Sequence, residues 1–432
     1  MIAKVPPVHR RPGDRETACN RRLTFASFKA PIGAGIWGGI MELSHRITGI
    51  SEDVNAGWEV FMRSRQLIAE GHDILELTIG DHDIRTDPSI LRRMYDAAVG
   101  GHTGYAAIPG TPGLRATVAA RVQERTGVPT TSDNILITPG GQSALFGAHV
   151  AVCDPGDTAL YCDPYYATYP GTLRSAGTHP IAIAAHARDT FQPRAAAIAA
   201  HAAGAKSLLI NSPNNPTGVI YSRETLAGIA DVCTRHDLWL ISDEVYDTQV
   251  WDGHHISPRS LPGMADRTLV VGSMSKSHAM TGSRCGWLVA PAPVVEYLTT
   301  LAIHTTYGVA GFVQDAAQFA LAQGRPLEDK ISAPFRRRRD IATRLLAEQN
   351  VLRLLPSMGA MYLLLDVRST GLSGNEFADK LLMHHHISVM PGESFGASAA
   401  GHIRLAMTLE DTMLETAITR LIGFAHQVAR AR

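Results

Sequence analysis

A lysine follows an apolar segment of the chain in a setting that suits covalent chemistry. Residues 268–271 are apolar and lead into Ser273, Lys276 and Arg284, within the sequence SMSKSHAMTGSR. A lysine amine keeps its proton up to a pH of about 10 and must lose it to form a Schiff base. Nearby cationic charge and partial burial lower the pKa of such an amine. The pattern therefore indicates a lysine nucleophile at the end of a buried strand.

Two other apolar segments end in loops that suit ligand binding. Gly141 and Gln142 follow residues 134–138 in the sequence PGGQS, at the predicted start of a helix. Free backbone N–H groups and the helix dipole favour a phosphate at such a place. Asn215 follows residues 207–210 in the sequence NSPNNPTG, whose prolines stiffen the loop. Each loop also has a simpler interpretation as an ordinary turn.

A carboxylate and a tyrosine follow a fourth apolar segment. Residues 238–241 lead into Asp243 and Tyr246. A carboxylate at the rim of an apolar strand is unfavourable unless a cation pairs with it. A protonated pyridine nitrogen would be such a cation, while a helix cap or a surface ion pair is the simpler explanation. Together, the lysine, the carboxylate, the asparagine and the phosphate loop are the groups that a phosphorylated pyridine aldehyde requires.

Strands and helices must alternate along the chain to position these residues. Short apolar segments lie at residues 74–79, 134–138, 157–161, 207–210, 238–242, 268–271 and 287–290. Ser222 is predicted to cap a helix between two of them, and the apolar face of that helix is Leu226, Ile229, Ala230 and Cys233. The alternation predicts an α/β fold with a mostly parallel sheet covered by helices on both faces. Ligands bind at the carboxyl ends of strands in such sheets, so the motifs are expected to meet at one edge.

The sequence pattern changes near residue 320. The later predicted elements are a helix ending in the arginines of residues 336–339, a strand at residues 361–367, and helices at residues 375–386 and 409–425. We therefore predict a large domain over residues 76–320 and a smaller α+β domain over residues 321–432. Residues 46–75, with a helical pattern at residues 56–68, are expected to pack with the small domain. Residues 1–45 are expected to form a disordered extension.

The composition argues against several classes of protein. The 40 basic and 40 acidic residues cancel, so no nucleic-acid or membrane partner is predicted from overall charge. No apolar segment approaches the roughly 18 residues that a membrane-spanning helix needs. The five cysteines, Cys19, Cys153, Cys162, Cys233 and Cys285, include no CxxC pair, which favours a reducing, cytoplasmic location. A basic targeting arm or nucleic-acid tail within the first 30 residues stays open.

The motifs resemble those of the fold-type I pyridoxal-phosphate aminotransferases of class I and II, over about residues 50–425. The resemblance implies that the cofactor is pyridoxal 5'-phosphate and that Lys276 binds it covalently and later moves a proton. It also implies that Asp243 pairs with the ring nitrogen. The other implied cofactor contacts are Asn215 and Tyr246 at the phenolic oxygen, Tyr166 at the ring face, and Gly141, Gln142, Ser273 and Arg284 at the phosphate.

The same resemblance implies substrate contacts and a partner subunit. Arg404, in the sequence HIRLAM, matches the arginine that binds the substrate α-carboxylate, and a planar guanidinium can do so through two parallel hydrogen bonds. Gly80 and Asn215 match residues beside the substrate. Tyr105 resembles the tyrosine that reaches the phosphate of the neighbouring subunit, which implies a homodimer with shared sites. Ser283 departs from the family, which commonly has a tryptophan there, so the local packing is in question.

Several longer stretches resemble one subgroup, the arginine:pyruvate transaminases. These stretches are HDLWLISDEVY, SLPGMADRT, SKSHAMTGSR and SAAGHIRLAM. The resemblance implies ping-pong transfer of an amino group from an L-amino acid such as arginine to pyruvate or 2-oxoglutarate, within amino acid metabolism or a biosynthetic process. Asp81 and Asp83 are the nearest candidate carboxylates for a cationic donor side chain. Both also fit a purely structural role in their loop.

Other classes of protein fit the sequence less well. The SMSK stretch matches the S-x-x-K pattern of penicillin-binding acyl-serine enzymes, but the chain has no KTG. No GxxxxGK precedes the serine, as a P-loop would require. A transcription regulator would need a DNA-binding module larger than the basic arm. A zinc site at the histidines of residues 384–386 would need consecutive side chains on one face of a helix. An aspartate- or aromatic-type aminotransferase, or a lyase on the same fold, remains open.

Overall fold

The computed structural model describes residues 42–51 and 58–430. The predicted extension over residues 1–45 therefore lies almost wholly outside the described residues, as does the beginning of the helical pattern at residues 56–68. Within the described ranges, no helix is both long enough and apolar enough to cross a membrane.

The described strands form a seven-stranded, a four-stranded and a two-stranded sheet. Their bounds are β1 Leu75–Glu76, β2 Ile135–Thr138, β3 Thr158–Asp163, β4 His179–Ala184, β5 Ala205–Asn211, β6 Trp239–Asp243, β7 Thr268–Ser273, β8 Gly286–Val289, β9 Arg353–Leu354, β10 Tyr362–Asp366, β11 Ile387–Ser388, β12 Met390–Pro391 and β13 His402–Ala406.

The seven-stranded sheet has the order β2-β8-β7-β6-β5-β3-β4. Strand β8 is antiparallel to both of its neighbours, and the other neighbouring strands are parallel. This confirms the predicted α/β fold with a mostly parallel sheet. Strand β4 was not predicted from the sequence; it lies at the edge of the sheet, and its positions are exposed or half-buried except for Ile183.

Helices surround these sheets. Their bounds are α1 His45–Thr48, α2 Trp58–Ala69, α3 Pro88–Val99, α4 Pro112–Thr126, α5 Gly141–Val152, α6 Tyr169–Ser175, α7 Ala195–Ala202, α8 Arg223–Arg235, α9 Met274–Ser277, α10 Ala292–Ile303, α11 Gly311–Ala322, α12 Arg325–Ala347, α13 Gly374–His385 and α14 Asp411–Arg430. Ser222 caps α8 as predicted, since its side chain accepts a hydrogen bond from the Thr225 N–H group.

Successive residues of the central strands enter different cores, because side chains alternate between the faces of a sheet. On β5, Leu208 packs in a core with Leu226 of α8. The next residue, Leu209, packs in a second core with Leu145 of α5. Helices therefore cover both faces, and the sheet is buried as parallel sheets generally are.

The strand predicted at residues 74–79 is shorter in the structure than the sequence pattern suggested, and it belongs to a different sheet. Strand β1 pairs in parallel with β11 and not with the seven-stranded sheet. Beyond β1, the Leu77 N–H group donates to the Ser388 carbonyl, and the Leu77 carbonyl accepts from the Ala406 N–H group. The backbone here is held by the C-terminal part of the chain. The domain bounds at residues 76 and 320 stay predictions.

The four-stranded sheet has the order β12-β13-β10-β9 and is antiparallel. Helix α12 does not end at residues 336–339 as the sequence predicted, but continues to Ala347. The arginines of that run have partners on other elements, which explains why the helix does not stop there. Arg336 donates to the Val250 and Trp251 carbonyls, and Arg338 pairs with Asp83 and Asp411.

A cluster of charged residues, here called the Arg121 cluster, connects α4 with α12. Arg121 and Arg125 of α4 both pair with Glu328 in the first turn of α12 and with Asp247, the residue after Tyr246. Glu328 is buried. Burial raises the pKa of the Asp247 carboxyl, but the charges of Arg125 and Arg121 outweigh burial and lower it below its usual range.

Candidate active site

The register of the seven-stranded sheet brings the predicted motifs to one edge. Asn211 at the end of β5 lies opposite Asp243, and Asp243 lies opposite Val271 of β7. Ser273 ends β7 and lies opposite Gly286, which also lies opposite Thr138 at the end of β2. The loops that carry the predicted site residues therefore leave the same edge of the sheet, as expected for a parallel arrangement.

Lys276 lies on the short helix α9, directly after β7. Ser273 caps this helix, because its hydroxyl accepts a hydrogen bond of 3.1 Å from the Ser275 N–H group. The Lys276 amine donates to the carbonyl of Gly80. Position 80 requires a glycine, because a Cβ atom there would overlap the hydroxyl of Tyr362. The chain thus holds the lysine amine between the sheet edge and the loop after β1.

Asp243 is a buried carboxylate, with a side chain that is only 4% exposed. Tyr169 donates a hydrogen bond of 2.6 Å to Oδ2, and the Val245 N–H group donates one of 3.2 Å to Oδ1. Burial raises the pKa of Asp243 to about 6, against the effect of these two hydrogen bonds. In the part of the chain that the structure describes, no cationic side chain forms an ion pair with it. The carboxylate is therefore suited to a cation that the chain does not itself supply.

Asn215 and Tyr246 lie beside this carboxylate on neighbouring loops. The Asn215 N–H group donates to Asn211 Oδ1 at 2.8 Å, which anchors the loop after β5. Its side-chain oxygen accepts a hydrogen bond of 2.9 Å from Arg404. The hydroxyl of Tyr246 lies 3.0 Å from that of Tyr362, and burial raises the pKa of Tyr246 well above its usual value.

Tyr166 lies on the chain just before α6. Its ring meets that of Tyr169 edge to face, with centroids 5.8 Å apart. Burial raises the pKa of Tyr166 to about 12, so it stays a neutral phenol. The ring of Tyr166 thus lies next to the tyrosine that donates a hydrogen bond to Asp243.

The predicted phosphate residues meet at the start of α5. Gly140 has a φ of 80°, and a Cβ atom there would overlap the guanidinium of Arg284. Arg284 lies over this turn, where its exposed guanidinium donates hydrogen bonds of 2.8 Å to the Thr281 carbonyl and 3.4 Å to the Pro139 carbonyl. A Cβ atom at Gly141 would lie 3.8 Å from Cβ of Ser273. Helix N–H groups, a hydroxyl and an arginine thus converge, as a phosphate site requires.

Gln142 has a different environment from the rest of this group. Its side chain donates to the Thr172 hydroxyl and accepts a hydrogen bond of 3.3 Å from Thr168. These contacts connect α5 with α6. The backbone N–H group of Gln142, in the first turn of α5, is available to bind an anion at the helix start.

Arg404 of β13 is a buried guanidinium, with only 4% of the residue exposed. It lies between the rings of Phe395 and Tyr362, with its Cζ atom 4.3 Å and 4.4 Å from their centroids. It donates to Asn215 and to the carbonyl of Thr78, while its Nε has no partner in the described chain. No carboxylate among the described residues pairs with it. Burial lowers the pKa of Arg404, although its ordinary value is so high that it stays charged.

Comparison with known proteins identifies the family. Residues 72–421 match the model of the family described as aminotransferase class I and II. The chain belongs to the class I and II aminotransferases. The resemblance stated from the sequence is thereby confirmed, and the family depends on pyridoxal 5'-phosphate.

The relatives of this aminotransferase differ in the substrates that they are named for. It is 39% identical over 381 residues to an arginine–pyruvate transaminase of Pseudomonas aeruginosa, covering 88% of this chain and 96% of the relative. It is 31% identical to an aspartate/prephenate aminotransferase of Thermus thermophilus, over 90% of this chain and 99% of the relative. The structure of a Thermus thermophilus aspartate aminotransferase with maleate matches with a TM-score of 0.83 at 30% identity, over 90% of this chain and 100% of that one.

The site residues of the aminotransferase fit its cofactor. The Gly140 turn with Arg284 forms a cradle that a larger residue would fill. The buried Asp243 suits a ring nitrogen that carries positive charge, and the Lys276 amine is near enough to the same sheet edge to bind the aldehyde carbon. The phosphate, the ring nitrogen and the aldehyde of the cofactor would therefore each find a suitable residue in the site.

Three site residues were not predicted from the sequence. Tyr169 holds the Asp243 carboxylate, while Tyr362 and Phe395 enclose the Arg404 guanidinium. Tyr169 follows Tyr166 closely in a tyrosine-rich stretch, which is a weak signal. Tyr362 stands in an otherwise apolar stretch that is typical of an ordinary core, and Phe395 stands in the short polar stretch PGESFG, which contains no recognisable motif.

Asp81 and Asp83 have different partners. Both oxygens of Asp83 accept hydrogen bonds from Arg338, at 2.8 and 2.6 Å. Asp83 is therefore occupied by a structural ion pair. Asp81 accepts a single hydrogen bond of 2.9 Å, from the Thr281 hydroxyl.

Tyr105 lies away from the site residues of its own chain. It is 89% exposed, and its ring meets that of Tyr307 with centroids 4.8 Å apart. Tyr307 is itself 50% exposed, so the two rings form an aromatic patch at the surface.

Proposed function

We propose that this aminotransferase moves the amino group of an L-amino acid, with arginine as the donor, to a 2-oxo acid such as pyruvate in a ping-pong cycle. The observation that carries the proposal is Arg404, a buried guanidinium with no carboxylate partner among the described residues. An unpaired buried charge is unfavourable, and the α-carboxylate shared by amino acids and 2-oxo acids would pair with it. The arginine donor is supported by the name of the Pseudomonas relative.

Each site residue has a role in this proposal. Arg404 and Asn215 hold the substrate carboxylate, and Gly80 lies beside the substrate. Bound pyridoxal 5'-phosphate supplies an aldehyde for the amino group and an electron-withdrawing ring. The other proposed cofactor contacts are Asp243 at the ring nitrogen, Tyr246 and Asn215 at the phenolic oxygen, Tyr166 at the ring face, and Gly141, Gln142, Ser273 and Arg284 at the phosphate.

Proton transfer at the substrate α-carbon belongs to Lys276. Its amine removes the proton in its neutral form and returns it in its protonated form. The hydrogen bond to the Gly80 carbonyl restricts the lysine to one position when no substrate is bound. Asp243 stays ionised beside the ring nitrogen and so favours the positive charge there.

A homodimer and a cytoplasmic location are also part of the proposal. Tyr105 is exposed in a single chain, as a residue that completes a neighbouring subunit's phosphate site would be. Cys153, Cys162, Cys233 and Cys285 are free and buried, which suits a reducing compartment.

Conversion of the cofactor to its amino form by single amino acids tests the donor assignment. The purified holoenzyme is mixed with each amino acid in turn, and the absorbance of the bound cofactor is followed without an acceptor. Arginine should convert the cofactor fastest, and Lys276→Ala should show no conversion. Fast conversion by aspartate or an aromatic amino acid, with none by arginine, would overturn the arginine donor. Products that have lost a carboxyl group or a side chain would show a lyase instead.

A further inference from the structure

Tyr362 touches several parts of the proposed active site at once. It belongs to β10 of the four-stranded sheet and is buried. Its hydroxyl lies 3.0 Å from the hydroxyl of Tyr246, which is carried by the seven-stranded sheet. Its ring lies against Arg404, and its hydroxyl lies against the α-carbon of Gly80.

The hydroxyl of Tyr362 has one hydrogen-bond partner in the described part of the chain, and that partner is Tyr246. Gly80 presents only a C–H group to it, and no other hydrogen-bond partner of this hydroxyl is found among the described residues. Burial also keeps the Tyr246 phenol protonated at ordinary pH, since its pKa is raised well above its usual value.

The number of protons determines the direction of this hydrogen bond. Each phenol carries one hydroxyl proton and can accept through its oxygen. If Tyr246 donates its proton to the phenolic oxygen of the cofactor, it cannot also donate to Tyr362. Tyr362 must then be the donor and Tyr246 the acceptor.

We propose that Tyr362 is a positioning residue that donates a hydrogen bond to Tyr246 and thereby strengthens the bond from Tyr246 to the phenolic oxygen of the cofactor. A hydroxyl that accepts a hydrogen bond becomes a better donor, so consecutive bonds reinforce each other in a buried site. The inference rests on the proposed placement of Tyr246 at that oxygen.

The ring and the hydroxyl of Tyr362 have separate effects. The ring faces the Arg404 guanidinium at 4.4 Å and favours its charge. Tyr362→Phe keeps the ring and removes only the hydroxyl. This variant should leave the KM for the amino acid nearly unchanged, whereas Tyr362→Leu should raise it.

The test is a pH titration of the absorbance of the bound cofactor, without substrate. A hydrogen bond to a deprotonated oxygen favours the deprotonated form. Tyr362→Phe should therefore raise the midpoint of the absorbance change, by about half a pH unit for a net hydrogen-bond contribution of ordinary size. Tyr221→Phe is the matched control, because this buried tyrosine bonds to Cys162 and should leave the midpoint unchanged.

Tyr246→Phe and the double variant show whether Tyr362 acts through Tyr246. Tyr246→Phe should raise the midpoint more than Tyr362→Phe does, and adding Tyr362→Phe to it should cause no further rise. A wild-type midpoint in Tyr362→Phe, together with a raised one in Tyr246→Phe, refutes the inference but keeps the placement of Tyr246. An unchanged midpoint in Tyr246→Phe refutes both. A further rise in the double variant shows that Tyr362 acts by another route, which also refutes the inference.

Discussion

The buried carboxylate of Asp243 destabilises the cofactor-free chain, because no cation among the described residues pairs with it. The buried carboxylate has hydrogen bonds from Tyr169 and Val245, but its pKa is still raised to about 6. A raised carboxyl pKa means that the folded chain binds the proton more tightly than the unfolded chain does. Ionised Asp243 therefore lowers the free energy of unfolding of the cofactor-free protein at pH values above 6, and this effect disappears below about pH 4.

Asp243→Asn should make the cofactor-free protein more stable and the enzyme much less active. At pH 8 we expect the free energy of unfolding to rise by about 1–3 kcal/mol, because an uncharged group replaces a buried charge. At pH 4 the difference from the wild type should be small. Activity should fall by about two orders of magnitude or more, since the positive ring nitrogen loses its partner. Denaturant unfolding at both pH values and single-turnover kinetics provide the measurements. Equal stability of the two proteins at pH 8 would contradict the assignment.

Site residues that lie within local sequence motifs could be predicted, whereas site residues contributed by distant parts of the chain could not. Lys276 and Asp243 follow apolar strands directly, so their position at the sheet edge is determined by nearby sequence. Tyr362 and Phe395 approach the site from the four-stranded sheet and from the loop after β12. Their sequence separation from the lysine gives no sign of the contact, and an aromatic residue in an apolar stretch, such as Tyr362, usually belongs to a core.

The Arg121 cluster shows how whole elements are held around the site. It joins α4 to the first turn of α12 and includes Asp247, which follows Tyr246. Because Glu328 is buried, its two arginine partners are needed to compensate for the loss of water. The position of Tyr246 is therefore coupled to the packing of two helices.

Glu328→Gln should destabilise the protein strongly. It leaves two arginines with one acidic partner in a buried cluster, and we expect a loss of about 3 kcal/mol in the free energy of unfolding. Asp96→Asn is a suitable control, because it removes an exposed pair with Arg92 on α3 and should cause no measurable change. Urea unfolding of both variants at neutral pH makes the comparison. A Glu328→Gln protein as stable as the wild type would show that the cluster does not hold the helices.

Elements were predicted well where their apolar pattern was strong. The central strands and the Ser222 cap of α8 have such patterns and agree with the structure. Helix α12 was predicted to stop at its run of arginines, because a run of like charge resembles an exposed end. In the structure, partners such as Asp83 and Asp411 neutralise that run. Partners so distant in sequence cannot be inferred from the run itself.

At the scale of the whole molecule, Tyr105 is the residue that connects one chain to another in the proposal. Its ring is exposed and meets that of Tyr307 edge to face. If it completes the phosphate site of the neighbouring subunit, each active site combines Lys276 of one chain with Tyr105 of the other.

Mixing two inactive variants should then restore activity. Tyr105→Ala and Lys276→Ala each damage one half of every site, but a mixed dimer contains one site with both residues intact. After unfolding and refolding together in equal amounts, we expect about a quarter of the wild-type number of sites, as random pairing of subunits requires. The activity of each variant refolded alone is the control. No recovery from a mixture that does form mixed dimers would show that Tyr105 serves its own chain.

The arginine proposed to bind the substrate carboxylate lies on the four-stranded sheet, whereas the lysine and the carboxylate proposed to serve the cofactor lie at the edge of the seven-stranded one. Carboxylate binding and cofactor binding would therefore be carried by separate segments of the chain. Tyr362 and Asn215 connect these segments, because Tyr362 contacts Tyr246 and Asn215 contacts Arg404. A substitution in the C-terminal segment that disturbs Tyr362 should therefore affect the cofactor as well as the substrate.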